Sequence, residues 1–195
     1  MKATVSLIAT LLFATPAFAD KISEQINLGL EAYNDQDYQA AIDELQYAIS
    51  QIQSKLDKDN AQLLPKPLEG WSAEDVEHNS AAMAMLGGGT HMSKRYRKGR
   101  ETVEISISAN SPMVSGLGAM INNPMLLRND ANAEPYRYQR NKGIKRKERN
   151  SVEITLMLAG QILLQLKGQN LSDEDALEAF LEAMDLKAIK LALLQ

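Results

Sequence analysis

Cysteine is absent from this chain of 195 residues, and histidine occurs only twice. The lack of cysteine excludes disulfides, so stability has to come from packing. His78 and His91 form no His-x-His or His-x-x-x-His spacing, so a metal site would need carboxylates from distant parts of the chain. We therefore predict no metal site, no cofactor and no catalytic residue.

Long apolar runs are also scarce. The longest, residues 3–14, is about a dozen residues, short of the roughly 20 that a membrane-spanning helix needs. It follows a positively charged start, and Ala17 and Ala19 place small residues where a signal peptidase cleaves before Asp20. Residues 1–19 are therefore predicted to be a cleaved signal peptide, which would export the chain to a bacterial periplasm. We predict no membrane-spanning segment in the rest of the chain.

Acidic and basic residues are distributed unevenly. Residues 20–79 contain 13 acidic and 4 basic residues, residues 80–149 contain 5 and 13, and residues 150–195 contain 7 and 3. The basic middle could bind an anionic surface, or it could pair with the acidic helices on either side, which we favour. The candidate interaction surface consists of nine basic residues on predicted strands and a predicted turn: Lys94, Arg95, Arg97, Arg137, Arg140, Lys142, Lys145, Arg146 and Lys147.

The apolar spacing of residues 22–57 predicts two helices with a break at residues 34–37. Residues 28–49 resemble one tetratricopeptide unit, because Gly29 falls at a position of close helix packing and Ala41 and Ala48 at small positions of the second helix. Gln36 replaces the turn glycine of that family. No second copy follows, so an ordinary helical hairpin fits the same pattern.

Beyond residues 87–89, which are all glycine, the apolar period changes from helical to alternating. This alternation predicts an antiparallel sheet of about six strands, at residues 91–97, 102–109, 136–140, 144–149, 151–158 and 161–167. A turn is predicted at residues 141–143. Helices are predicted to begin after Ser72 and after Ser172, and a last short helix covers residues 186–194.

This order of elements predicts an α+β fold, in which an N-terminal helical hairpin precedes an antiparallel sheet packed by helices and a C-terminal helix. The expected domains are the signal peptide at 1–19, the hairpin at 20–63 and the sheet domain at 64–195. The sheet domain resembles uncharacterised exported bacterial proteins and PsbP-like envelope domains. The resemblance rests on three motifs and the order of elements: the Leu-Pro step at 64–71, the glycine step at 87–90 and Ser-Pro-Met at 111–113. It implies a fold and no activity.

An apolar insertion between the second and third long strands is rich in methionine. Its candidate flap residues are Met113, Leu117, Met120 and Met125. Methionine lines adaptable binding grooves, but it more often fills irregular core, and we favour the second interpretation.

The sequence therefore favours a non-catalytic periplasmic interaction protein whose partner is an envelope protein or another anionic envelope component. The basic strands carry tyrosines that are also typical of single-stranded nucleic-acid binders, but export argues against nucleic acid. The alternative function is a carrier of an apolar or lipidic small molecule beneath the flap. A hydrolase or metalloenzyme using His78 or His91 is the third hypothesis.

Overall fold

A computed structural model describes residues 20–78, 89–123 and 130–194 of the chain, without the side chains of Pro112 and Met113. It confirms the predicted fold class: two N-terminal helices precede an antiparallel sheet that is packed by helices, and the described part ends in helix. The chain divides into two compact units between Lys55 and Leu56. No described helix combines the length and the apolar character needed to cross a membrane.

The first unit contains the predicted helical hairpin, formed by α1 (Lys21–Asn34) and most of α2 (Tyr38–Ala61). Gln36 adopts a φ of 63° in the turn, a left-handed conformation that glycine adopts more readily than other residues. Small residues bring the helices together, since Gly29, Ala41 and Ala48 are buried. A Cβ at Gly29 would lie 2.8 Å from the Leu45 side chain, so this glycine permits the close approach of the helices.

The second unit contains an eight-stranded antiparallel sheet with the order β1-β3-β4-β8-β7-β6-β5, and β2 also pairs with β3. The strands are β1 (Ser72–Ala73), β2 (Glu77–His78), β3 (Thr90–Lys98), β4 (Glu101–Ala109), β5 (Ala133–Tyr138), β6 (Asn141–Lys147), β7 (Ser151–Leu158) and β8 (Ile162–Gln169). The helices that the structure describes in this unit are α3 (Pro112–Asn122), α4 (Asp175–Glu182) and α5 (Leu186–Leu193). Six strands are long, as predicted, and the other two have two residues each.

One face of the sheet carries the main core. Met92, Ile107, Leu164 and Leu156 lie side by side across β3, β4, β8 and β7, and each is fully buried. Helices α4 and α5 and the short segment between them contribute the other buried side of this core with Leu177, Phe180, Leu181, Met184, Leu186, Ile189 and Leu193. We call this the helix-packed face.

The opposite face of the sheet is mixed. Helix α3 packs Val114 and Ile121 against Ile144, Met157 and Leu163, which forms a second, smaller apolar cluster. Beyond this cluster the face carries alternating polar residues of β3, β4, β8 and β7, and we call it the polar face. The sheet therefore has one apolar, helix-packed face and one more polar face.

The predicted turn at residues 141–143 is wrong, because β5 and β6 are joined two residues earlier, at Gln139 and Arg140. Both turn residues have positive φ, 44° and 66°, as a two-residue type I′ hairpin requires. Gly143 lies inside β6 instead, where a Cβ would be 2.2 Å from the backbone oxygen of Thr155. This glycine serves the close approach of two strands, which the sequence pattern did not distinguish from a turn.

The predicted helix start at Ser72 is also wrong. Ser72 and Glu77 begin the two short strands that pair with β3, and Glu74 N–H donates to the Arg95 carbonyl at 2.9 Å. These short strands cover an edge of β3 that would otherwise expose unpaired backbone groups.

Candidate binding surface

Strand alternation divides the nine predicted basic residues between the two faces of the sheet. Lys94, Lys145 and Lys147 share the register of core residues on the helix-packed face. Five others follow the register of the polar face, namely Arg95, Arg97, Arg137, Lys142 and Arg146. Arg140 lies in the turn between β5 and β6. The polar-face residues are also far apart, because three strands lie between β3 and β6, which makes four strand spacings of about 4.8 Å.

On the helix-packed face, lysines of β6 pair with the acidic first turn of α4. Lys147 Nζ lies 2.6 Å from Glu174 Oε2, and Lys145 Nζ lies 3.5 Å from Glu178 Oε1 and 3.9 Å from Glu174 Oε2. The hydrogen bond to Glu174 raises the pKa of Lys147. Lys94 instead has its ammonium 5.7 Å from the centre of the Tyr96 ring. The predicted pairing of basic strands with an acidic helix is thus present for two of these three lysines.

On the polar face, charges of alternating sign form a row across five strands. Strand register places Arg95, Glu104, Lys167, Glu153 and Arg146 next to one another in that order. Arg95 Nη2 donates to Glu104 at 2.7 Å, and this carboxylate raises the pKa of the guanidinium. Opposite charges directly across a strand pair stabilise a sheet, so this charge row has a structural explanation.

Both ends of the charge row are neutralised further. Glu74 lies 3.8 Å from Arg95 and 2.5 Å from Arg97, and Asp130 lies 3.0 Å from Arg146. The backbone N–H of Asn132 and then the Arg146 guanidinium lower the pKa of Asp130. Five of the nine candidates therefore have a carboxylate partner within 4 Å, namely Arg95, Arg97, Lys145, Arg146 and Lys147.

A cavity of about 280 Å³ lies beside the charge row. Its lining consists of Arg95, Arg97, Thr102, Glu104, Lys167 and Gln169. Because Glu74 and Glu104 already neutralise both arginines, an anion that entered this cavity would have to compete with them.

The remaining basic candidates lie at the end of the β5–β6 hairpin. Arg137 and Lys142 are paired directly across the two strands, and Arg140 occupies the turn beside them. All three are exposed, and none of them forms an ion pair within the described ranges. Arg137 and Lys142 are like charges directly across a strand pair, an arrangement that destabilises a sheet. No carboxylate within the described structure offsets this repulsion.

Asn141 holds the hairpin end in a defined shape. Its Nδ2 donates to the carbonyl oxygens of Tyr138 and Gln139, both at 3.1 Å, and its Oδ1 accepts a hydrogen bond from Lys190 Nζ at 3.0 Å. Lys190 therefore adds a fourth cation near the turn, and it too forms no ion pair among the residues that the structure describes. We call Arg137, Arg140, Lys142 and Lys190 the basic tip.

Sequence reasoning missed Lys190 because it lies in α5, 49 residues after Asn141. Only the packing of α5 on the sheet brings the two residues together. No spacing rule within the sequence could have identified this contact.

The edge of β5 is poorly suited to pairing with another strand. Lys147 N–H donates to the Asn132 carbonyl at 2.9 Å, which fixes the register so that the backbone groups of Pro135 and Arg137 face away from β6. Proline has no N–H to donate, so the edge lacks a donor at its centre. A partner of the basic tip would therefore contact side chains rather than extend the sheet.

The two histidines lie on neighbouring strands, since His78 of β2 pairs with Met92, the residue after His91. Strand alternation turns their side chains to opposite faces of the sheet, and they have separate partners. His91 Nδ1 lies 2.8 Å from the hydroxyl of Ser108, a residue that is 1% exposed, and burial lowers the pKa of His91. His78 Nδ1 lies 3.4 Å from one carboxylate oxygen of Asp57. Across the described ranges, no three histidine, aspartate or glutamate side chains come together as a set of metal ligands.

The candidate flap is partly helix α3. Leu117 and Met120 are partly buried against the second apolar cluster. The side chain of Met113 and all of Met125 lie outside the described residues. The two described flap residues therefore contribute to packing on the polar face.

No family model, curated protein or solved structure matches the chain.

Proposed function

We propose that the mature chain is a non-catalytic binding protein of the bacterial periplasm and that its basic tip contacts an anionic partner in the cell envelope. One observation carries this proposal. The four cations of the basic tip have no carboxylate partner among the described residues, whereas carboxylates neutralise Arg95, Arg97, Lys145, Arg146 and Lys147.

Three properties of the tip favour binding. Its shape is fixed by a type I′ turn and by the amide of Asn141, so little ordering is needed when a partner binds. Arg137, Arg140 and Lys142 are exposed and able to reach a partner, while Lys190 is partly buried beside them. The guanidinium groups of Arg137 and Arg140 present forked donors that match carboxylates in two-pronged hydrogen bonds. An acidic protein segment is therefore our first candidate for the partner.

Location in the envelope rests on the sequence alone. Residues 1–19 have the charged start, the short apolar core and the small residues of a signal peptide. Fractionation of cells that express the full chain, with mass spectrometry of the mature N-terminus, should find Asp20 as the first residue. An unprocessed form in the cytosol would contradict this part of the proposal.

The binding proposal is tested by capture from envelope extract on the immobilised chain. A triple variant, R137Q/R140Q/K142Q, should lose about tenfold in captured partner, because three exposed charge contacts contribute roughly 0.5 kcal/mol each. The matched control, K21Q/K66Q/R100Q, removes three exposed cations elsewhere and should capture as the natural chain does. Capture should also weaken as salt rises.

Two results would contradict the proposal: equal capture by both triple variants, or no binding of the natural chain to envelope extract or to anionic vesicles. Vesicles containing phosphatidylglycerol provide a further comparison. If the vesicles bind the natural chain but not the R137Q/R140Q/K142Q variant, and no protein is captured from the extract, the partner is anionic lipid rather than an acidic protein segment.

A further inference from the structure

The helical hairpin exposes an unusual number of large apolar side chains. Within the hairpin only Gly29, Ala41 and Ala48 are buried, so small residues form the contact between its own helices. The large side chains are 40 to 59% exposed, including Leu45, which also packs against Gly29: Ile26, Leu30, Tyr33, Tyr38, Ile42, Leu45, Ile49 and Ile52. We call these eight residues the hairpin seam.

The hairpin seam has the spacing of a helix-packing surface. Its five members on α2 follow one another at intervals of four, three, four and three residues, which is the apolar period of a coiled coil. Its members on α1 recur at intervals of four and three. The rings of Tyr33 and Tyr38 lie 5.8 Å apart, so the stripes of the two helices meet on the same side of the hairpin.

The hairpin seam contains no charged residue, although the hairpin as a whole is acidic. By the helical period, Glu24, Glu31 and Asp43 lie on the opposite sides of their helices. Glu44 is turned inward and accepts a hydrogen bond from Gln25 of α1. Charge repulsion therefore does not prevent two such faces from meeting.

The exposed apolar area of the hairpin seam indicates what kind of contact would bury it. Eight large side chains at about half exposure present on the order of 800 Å², whereas the largest apolar patch on a typical monomer is about 300–600 Å². A stable interface of standard size buries about 800 Å² on each partner. The hairpin seam thus has the area that one side of a dimer requires.

We propose that the hairpin seam binds the hairpin seam of a second copy of this chain, so that two hairpins form an antiparallel four-helix bundle. An uncharged stripe with coiled-coil spacing is self-complementary, which is the property that a two-fold symmetric contact needs. The two helices of one hairpin bury little apolar surface between them. The four helices of two hairpins would enclose a core formed by the eight seam residues of each copy. The inference is independent of the basic tip.

Sedimentation equilibrium of the full mature chain between about 1 and 100 µM tests this inference. The natural chain should form a dimer within this range. Leu30→Asp and Ile42→Asp should each weaken the dimer at least 100-fold. Ile42→Gln, a milder change at an exposed helix position, should weaken it by about tenfold.

Leu28→Asp and Tyr47→Asp are matched controls. Leu28 is 44% exposed and Tyr47 is 54% exposed, but both lie away from the hairpin seam by the helical period. These variants should retain the dimer, and far-UV circular dichroism should show unchanged helix content in all five variants. A natural chain that stays monomeric to 100 µM would overturn the inference, and so would a dimer that survives Leu30→Asp and Ile42→Asp.

Discussion

The two units of this chain use apolar side chains in opposite ways. In the sheet unit, large residues such as Phe180 and Ile154 are fully buried between the sheet and its C-terminal helices. In the hairpin unit, residues of the same size, such as Ile42 and Ile49, are about half exposed. The difference indicates that the sheet unit is stabilised by its own core, whereas the hairpin presents an apolar surface for a contact with another molecule. The predictions below test that contrast, beginning with the largest expected effect.

Phe180→Ala should destabilise the sheet unit by about 3–5 kcal/mol, the usual cost of removing a buried aromatic side chain. Phe180 lies 4.6 Å from the ring of Tyr96 and 5.2 Å from that of Trp71, measured between ring centres. Trp71 is the only tryptophan, so urea unfolding followed by its fluorescence reports on this core directly. A loss below about 1 kcal/mol would mean that the core does not support the fold as described.

Gly143→Ala should cost about 1–3 kcal/mol, because the added methyl group would lie against the backbone of Thr155 and push β6 away from β7. Gly116→Ala is the matched control, since a Cβ at this position in α3 meets nothing within 4 Å. There the change should stabilise the chain by about 0.5–1 kcal/mol through helix propensity. Thermal unfolding of both variants compares the two sites, and equal shifts would contradict the explanation given for Gly143.

The stability of the sheet unit should fall as pH decreases from 7.5 to 5.5, in part through His91. Burial lowers the pKa of His91, so the folded state binds fewer protons than the unfolded state near the ordinary histidine pKa of 6.5. Above pH 6.5 His91 is neutral in both states and protonation costs no stability. As the pH falls below 6.5, the unfolded state binds a proton at His91 before the folded state does, and this favours unfolding. Urea midpoints measured across this range should depend less on pH in His91→Gln, and an unchanged slope would contradict this assignment.

Ile49→Ala should have the smallest effect, less than about 1 kcal/mol at 1 µM protein, because Ile49 is 53% exposed in the single chain. At 100 µM the loss should increase, since the dimer would bury this side chain. The change in helix melting with protein concentration provides the measurement. A loss of several kcal/mol at 1 µM would show that the hairpin seam is already buried within one chain.

Much of the fold follows from the sequence because each element has a local signal. Strand β4 alternates apolar and polar residues, and the predicted limits of β3, β4, β7 and β8 differ from those observed by no more than two residues. The two hairpin helices are separated by a polar break at Asn34 to Asp37, which the structure retains as a turn. In half-buried strands and amphipathic helices the spacing of apolar residues follows the buried face, so the sequence alone indicates which element forms.

Features that depend on contacts distant in sequence could not be predicted in this way. Gly143 has the composition of a turn but serves a strand crossing, whereas Gln139 and Arg140 form the turn without its usual residues. The neutralisation of Lys147 requires Glu174 of α4, and the place of Lys190 in the basic tip requires α5 to pack on the sheet. From the sequence alone the nine basic residues are equivalent candidates for binding. Their ion pairs in the folded chain distinguish the neutralised residues from those without a carboxylate partner among the described residues.

Hydrogen–deuterium exchange of the full mature chain at 1 and 100 µM tests the contrast between the two units most directly. We predict that amides of β4, β7 and β8 are strongly protected at both concentrations, while amides of α2 between Tyr38 and Ile52 gain protection only at the higher one. Equal protection of this helix at both concentrations, with the chain shown to be monomeric, would contradict the account.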